Sequence, residues 1–254
     1  PGTQPQWVGL SNFSRFITGK DFGIALSNTV FYTLGLLPFS VALPLCLAVI
    51  TNQLPARAKN IYRIILFIPM IMAPVSAAAI WRWLLHPSNG LVNLLLRALG
   101  ITSSNVAFFS DPAAARLAIL VITGWKMIGF GTLIFSAALT GLSSMYYEAA
   151  SLDGASNRRV FLSITIPLVS PSIMLMVMMS ILFASQWTFT YIDILSGGGP
   201  FGRSTNIYYE MYKYGFQNLD IGMSSAAANL FLVVFGCIGL FLSWFSKRLS
   251  FYDN

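Results

Sequence analysis

The chain has 254 residues, of which 56% are hydrophobic and only 9% charged, and it carries a net charge of +7. Its mean hydropathy is +0.71, and soluble domains carry roughly 25% charged residues, so an ordinary soluble globular protein is excluded. The positive charge does not mark a nucleic-acid binder either, because the basic residues fall at the ends of apolar runs rather than in a patch interleaved with aromatics.

In chain order, the opening PGTQPQWVGLSNFSRF is polar and aromatic and reads as an amphipathic segment lying at a membrane interface, over 1–22. An upstream portion carrying another span is expected. Apolar runs then cover 24–50, 61–84, 113–139, 164–192 and 224–245. Each reaches the roughly 20 residues that a helix needs to cross a bilayer. The expected fold is all-α: a polytopic helical membrane protein whose spanning domain covers 23–254. Pro38, Pro44, Pro69, Pro74, Pro167 and Pro171 lie in or beside these runs. An interior proline removes a backbone bond and bends a helix, which suits a protein moving around a central path, though proline is also common in membrane helices. Cys46 and Cys237 read as small buried hydrophobes, and no metal-ligand spacing exists around the single histidine, His86.

Alternation of the spans places 51–63, 141–163 and 246–254 on one side. These regions hold Arg57, Lys59, Arg63, Arg158, Arg159, Lys247 and Arg248. The opposite side has longer loops and sparser basic residues. The bias of Lys and Arg toward cytoplasmic loops puts the first side in the cytoplasm and the 193–222 loop outside.

One cytoplasmic stretch, EAASLDGASNRR at 148–159, is a polar island between two apolar runs. Ser143 or Ser144 can cap a short helix over MYYEAASLD. Gly154 permits a left-handed turn at its end. ASNRRVFLS then starts a second helical piece that runs into Pro167. Such a helix–turn–helix can transmit force from a docked partner to the spans beside it.

The island with its continuation, EAASLDGASNRRVFLSITIPLVSP, resembles the "EAA" loop of permease subunits of binding-protein-dependent ABC importers. Glu148-Ala149-Ala150 is followed at family spacing by Gly154, Ile164 and Ile166-Pro167; Ile166 stands where the family has Leu. WVGLSNF at 7–13, SGGGP at 196–200 and YYEMYKYGF resemble the carbohydrate branch, of the maltose and glycerol-3-phosphate permease type. The resemblance implies that 143–163 is a coupling helix seated on a cytoplasmic ATPase subunit. Carried over, Glu148 pairs with a basic group of that subunit, Ala149 and Ala150 permit close packing, Gly154 makes the turn, Asp153 supports it, and Arg158 joins the contact. It further implies a second permease subunit forming a heterodimer, two ATP-binding subunits that hold ATP and Mg2+, and an external substrate-binding protein. No cofactor is expected on this chain, no nucleic acid is expected as partner, and the expected site is the bacterial cytoplasmic membrane. The solute would be a small carbohydrate or glycerol phosphate.

GGGPFGRS mimics a phosphate-binding loop, but that signature needs a preceding strand and a Lys, and Pro200 lacks an amide. Contact of Gly197, Gly198, Gly199 and Pro200 with the external binding protein is the expected use. Lys126, beside Trp125 at the middle of the third run, is a costly charge at bilayer depth. It either lines the transport path or pairs with carbonyls or a partner's acid. Gln186, Trp187 and Asp193 combine an aromatic face with polar groups, as a sugar path requires; helix packing is the competing use of Trp187. Asn28 and Tyr32 sit one turn apart, as path residues or as interhelical hydrogen-bonders. An ATP-independent secondary transporter is the alternative function, and the lack of a central Glu or His in the spans counts against proton coupling. A scaffold or receptor subunit without a path is a further alternative, against which Lys126 and the bent spans argue.

Overall fold

The computed structural model describes residues 6–249, with side chains through Phe245. Residues 1–5 of the opening segment, the side chains of Lys247 and Arg248, and the final residues 250–254 lie outside the described residues. Every regular element among those described is helical. A short α1 (Ser11–Ile17) precedes the long α2 (Phe22–Asn52). Next come α3 (Ala56–Ile71) and α4 (Pro74–Leu84), a pair bent by 95° at the break between them, as a broken span or a re-entrant loop is. After α5 (Leu91–Ala98), α6 (Pro112–Thr140) is 29 residues long. The polar island forms α7 (Ser144–Leu152) and α8 (Asn157–Val160), which continues through a wide turn at Phe161–Thr165 into Ile166–Leu168. The last spans are α9 (Ser170–Ser196) and α11 (Ile221–Leu249), with the short α10 (Ile207–Tyr212) between them.

Four of these helices are long and apolar enough to cross a bilayer, or five when the α3–α4 pair counts as one span, among the described residues. The sequence therefore has the spans in the right places. The second breaks at Met72 and Ala73, just before Pro74, which has no amide to continue the ladder. The fourth begins later than the hydropathy suggests, because 157–168 is a separate helical piece.

The chain gathers into two compact units, Pro1–Thr33 with Pro74–Leu120 and Ala184–Cys237, and Leu34–Ala73 with Val121–Phe183 and the C-terminal stretch. The first has a core of Phe16, Ala25, Ile207, Met223 and Ala227, with Phe22 and Tyr214 packed around Phe16. The second is centred on Leu45, Ala48, Phe135, Leu139, Val169 and Met176.

Close approach in the second unit depends on missing side chains. A Cβ on Gly124 would lie 2.5 Å from Phe39 Cγ, one on Gly131 would lie 2.7 Å from the Ser40 carbonyl oxygen, and one on Gly129 would collide with the Leu66 carbonyl. In a bilayer, where apolar burial drives little association, such small-residue contacts carry the packing.

Elsewhere, large apolar side chains point outward. Ile61, Ile64, Ile65 and Ile68 form a stripe on α3 that is at least half exposed, and Leu232, Val233, Leu240 and Phe241 do the same on α11. Cys46 and Cys237 are exposed on such faces rather than buried. Their apolar surroundings are the surface that the bilayer or another subunit covers.

Gly129→Val is expected to destabilise the second unit by about 1–3 kcal/mol through overpacking. Gly236→Ala, where an added methyl meets nothing within 4 Å inside α11, is expected to hold or raise stability, by up to about 1 kcal/mol. Thermal unfolding of the two variants in detergent checks the pair.

Candidate functional site

The polar island folds as a capped, rigid elbow. Ser143 Oγ accepts the Met145 amide at 3.3 Å and starts α7, choosing between the two serines the sequence offered. The helix ends in a reciprocal pair of backbone bonds: the Gly154 amide donates to Ser151 O at 3.1 Å and the Ala155 amide to Ala150 O at 3.0 Å. That closure needs a left-handed residue, and Gly154 has φ +67° with open space around it. Ser156 Oγ then accepts the Arg159 amide and caps α8. Tyr147, which sequence reasoning did not single out, ties the elbow back, with its hydroxyl 3.3 Å from Thr165 Oγ1. Its signal was only its place on the inner face of a nine-residue helix.

On this frame Ala150 is buried, whereas Glu148, Ala149, Asp153 and Arg158 are exposed. Leu152 is 90% exposed at the tip. A groove of about 590 Å3 runs beside α7, lined in part by Met145, Tyr146, Ala149, Arg159 and Ile164. The face joins charge, small residues and a bare leucine, which is the surface a protein partner would cover.

The second candidate region is the loop from Gly197 to Asn206. Gly198 is buried at φ +81°, and a Cβ there would lie 2.8 Å from Thr205 Cγ2. Gly197 is exposed, Gly199 and Pro200 are half-buried, and Phe201 is 90% exposed with φ +56°. The outward-facing part is therefore Gly197 and Phe201–Arg203 more than the whole glycine run. A helix, not a strand, precedes the loop. The amides of Gly198, Gly199, Arg203, Ser204 and Thr205 all donate to carbonyls of 192–202, so none of these five is free to cradle a phosphate.

The loop is clamped by α2. Asn28 Nδ2 donates to Arg203 O at 2.7 Å and Thr205 O at 2.8 Å, and Tyr32 Oη donates to Ser204 O at 3.0 Å. Thr29 Oγ1 accepts the Ile207 amide at 3.0 Å. Asn28 and Tyr32 do share a face, and both are almost wholly buried. Their donors hold loop backbone, and Asn28 Oδ1 also accepts from Arg116 on α6, an interhelical bond. Asn206, missed in the sequence, is fully buried; its Nδ2 donates to Ser185 O and Thr188 Oγ1, and its Oδ1 caps α10. Its signal was the polar string RSTN directly after the glycines.

Lys126 is 5% exposed and its Nζ donates to Met72 O at 2.7 Å. Met72 is the C-terminal cap of α3 at the break in the broken span. An ammonium on an orphan helix-end carbonyl satisfies both the carbonyl and the helix dipole. This is the carbonyl-pairing alternative for Lys126. Trp125 beside it is half-buried. Gln186 is exposed and Trp187 half-buried on α9, and Asp193 is half-buried just beyond them. Lys126 and Trp125 belong to one compact unit, and Asn28, Tyr32, Gln186, Trp187 and Asp193 to the other.

Glu210 on α10 is another buried charge that the sequence reading passed over. Lys213 Nζ donates to both of its oxygens at 3.1 Å. Burial pushes the Glu210 carboxyl above its usual range, and Lys213 opposes the shift.

Two expectations follow. Lys126→Met strands the Met72 carbonyl and is expected to lower stability by about 1–3 kcal/mol, with Lys126→Arg milder; an unchanged melting temperature with a raised KM would instead make Lys126 a path residue. For Glu210, the folded pKa is raised, so its protonated form favours the fold at low pH and that contribution is lost as pH rises through the folded value. Glu210→Gln is therefore expected to flatten the fall in melting temperature above pH 4.5, the ordinary value. A pH series of unfolding curves for the two proteins reads it.

The family described as "Binding-protein-dependent transport system inner membrane component" matches residues 19–251. The chain is similar to the sn-glycerol-3-phosphate transport system permease protein UgpA of Agrobacterium fabrum, with 30% identity over 99% of this chain and 84% of the relative. It is also similar to the probable ABC transporter permease protein YesP of Bacillus subtilis, with 32% identity over 99% of this chain and 81% of that one. Among solved structures, a bacterial ABC transporter that imports the acidic polysaccharide alginate matches with a TM-score of 0.87 and 26% identity, over 96% of this chain and 85% of the other. The same kind of transporter, in complex with its alginate pentasaccharide-bound periplasmic protein, matches at 0.85 and 25% identity, over 98% of this chain and 86% of the other.

Proposed function

The chain belongs to the binding-protein-dependent transport system inner membrane component family, and on that premise we propose how this permease subunit of an ABC importer works. Sitting in the bacterial cytoplasmic membrane, it forms one half of a transport path by alternating access. A second, different permease subunit completes the path, two separate ATPase subunits power it, and a substrate-binding protein delivers solute from outside. The elbow at 143–163 is the contact to an ATPase subunit. Glu148 supplies a charge for a basic group there, exposed Ala149 allows close approach, and Leu152 fills an apolar recess.

The observation that carries this reading is the construction of the elbow. A loop that only needed to be solvated would not require two serine caps, a reciprocal helix end and the Tyr147–Thr165 tie. Those features make it stiff, and stiffness is what lets a short segment pass motion from a docked subunit to the attached spans. Outside, the clamped 197–206 loop presents Phe201 and Arg203 toward a binding protein. The solute is a small hydroxyl-rich compound, a sugar or a glycerol-phosphate-type molecule. The named cargoes of the relatives support that class: glycerol 3-phosphate for one and an acidic polysaccharide for another.

The test is affinity purification of the tagged chain from its host in mild detergent, with quantitative mass spectrometry of what accompanies it. An ATPase subunit is expected at near-stoichiometric yield. Glu148→Ala and Leu152→Asp, both exposed and harmless to the fold, are expected to reduce it at least about tenfold, as a loss of roughly 1.4 kcal/mol of binding implies. Gly154→Val, which forces a branched side chain into a left-handed turn, is expected to do the same. Undiminished ATPase in all three variants would refute the elbow as the contact.

A further inference from the structure

On the first compact unit, a cleft of about 400 Å3 opens beside the clamped loop, lined among others by Ser27, Asn28, Asp111, Arg116 and Arg203. We propose that this cleft is a binding site for a small anionic polyol, a compound joining a phosphate or carboxylate to hydroxyl groups. The proposal rests on the transport reading above, whose solute class it narrows.

Asn28 lines the cleft together with Arg116 and Arg203. Both hydrogens of its Nδ2 are committed to the carbonyls of Arg203 and Thr205, which fixes the amide and leaves Oδ1 for one partner. That partner is Arg116, whose Nη1 donates to Oδ1 at 3.1 Å. The Arg116 guanidinium also lies over the Phe31 ring, 5.2 Å from its centre. It is thus held in place on two sides by groups that leave most of its five donors unused. Its Nε is buried and has no hydrogen-bond partner among the described residues. A fixed guanidinium with donors to spare is the arrangement that recognises a planar carboxylate or a phosphate in two-pronged fashion.

Arg203 supplies a second cation. Its carbonyl is pinned by Asn28, so its Cα is anchored to α2, while the residue itself is exposed at the rim. The same asparagine therefore sets the positions of both arginines. Against these two positive charges stands one acid, Asp111, and one of its oxygens accepts the Ala114 amide at 2.7 Å to cap α6. The cleft keeps a net positive lining. Asp111 and the Ser27 hydroxyl remain near the cation pair as acceptors for hydroxyl groups. A bare apolar ligand would leave these donors unmet, and a simple cation would be repelled. The chemistry that satisfies every lining group is an oxyanion attached to a hydroxylated carbon chain. A volume of this size, within the range of small-molecule sites, admits such a compound and not a polymer.

The test uses arginine chemistry. The purified complex is placed in phosphatidylcholine nanodiscs and treated with phenylglyoxal, and labelling of Arg116 and Arg203 is mapped by peptide mass spectrometry. Glycerol 3-phosphate and inorganic phosphate are expected to slow labelling at both arginines, by about threefold at twice the dissociation constant, following the factor 1 + [L]/Kd. Glycerol is expected to do nothing, and glycerol 3-phosphate should protect at lower concentration than inorganic phosphate. In Arg203→Gln the protection of Arg116 should vanish, and Arg203→Lys should restore part of it; co-purified ATPase and the melting temperature report that the variants are folded. Absence of protection by either soluble anion, or protection that survives Arg203→Gln, overturns the proposal. Protection seen only when phosphatidylglycerol enters the nanodisc also overturns it, since the cleft would then hold a lipid headgroup. Loss of the ATPase subunit from the wild-type complex, with protection intact, would sink the transport reading and leave the anion site standing.

Discussion

Inside a bilayer a peptide carbonyl released from a helix has no water to turn to, and this one constraint organises the molecule. The chain breaks its helical ladders repeatedly, and at several of these breaks a polar side chain meets the freed backbone. Asn28 and Tyr32 take the carbonyls of 203–205 where the chain leaves α9. Lys126 takes Met72 O at the break between α3 and α4. Arg82 donates to Ile194 O, and Asn93 to the carbonyls of His86, Pro87 and Val106. The polar residues scattered through these apolar spans are therefore mostly structural in their first contact, and function is built on the positions they secure.

The two working surfaces follow from that rule in different ways. The elbow is stiff because short-range capping satisfies its backbone: two serines, one left-handed glycine and a tyrosine tie. It leaves Glu148, Leu152, Asp153 and Arg158 exposed. The loop at the other end of α9 is stiff because distant residues satisfy it, above all those of α2. A change in α2 would therefore be felt directly in the loop, whereas the elbow could be exchanged as a cassette.

This arrangement also gives Asn28 more than one duty. A single buried amide holds the loop, anchors the backbone of Arg203 and orients Arg116. Rigid placement of cations by a neutral group avoids the cost of burying a counter-charge beside them, so their donors remain available. In the other unit, glycines at 124, 129 and 131 play the matching part for apolar contact, letting the Phe39 ring and the Leu66 and Ser40 backbone come closer than any side chain would allow.

The sequence alone determined the class, the number and rough limits of the spans, and the elbow. Those are local matters: run length sets whether a helix can cross a bilayer, and a glycine after a capped helix sets the turn. The elbow's residues act through spacing along one short segment, so EAASLDGASNRR could be read directly. Contacts far apart in the chain could not be. Nothing near Asn28 in sequence names Arg203, 175 positions away. Lys126 was visible as a costly charge, but its partner is a main-chain carbonyl, which carries no sequence signature. Cys46 and Cys237 read as buried because apolar neighbours usually mean a core, yet in a membrane protein the apolar side can equally face lipid, and only the packing shows which. Which polar residues hold the fold, and which are left to meet a ligand, was decided by the tertiary structure, because hydrogen-bond satisfaction depends on what folds back against each group.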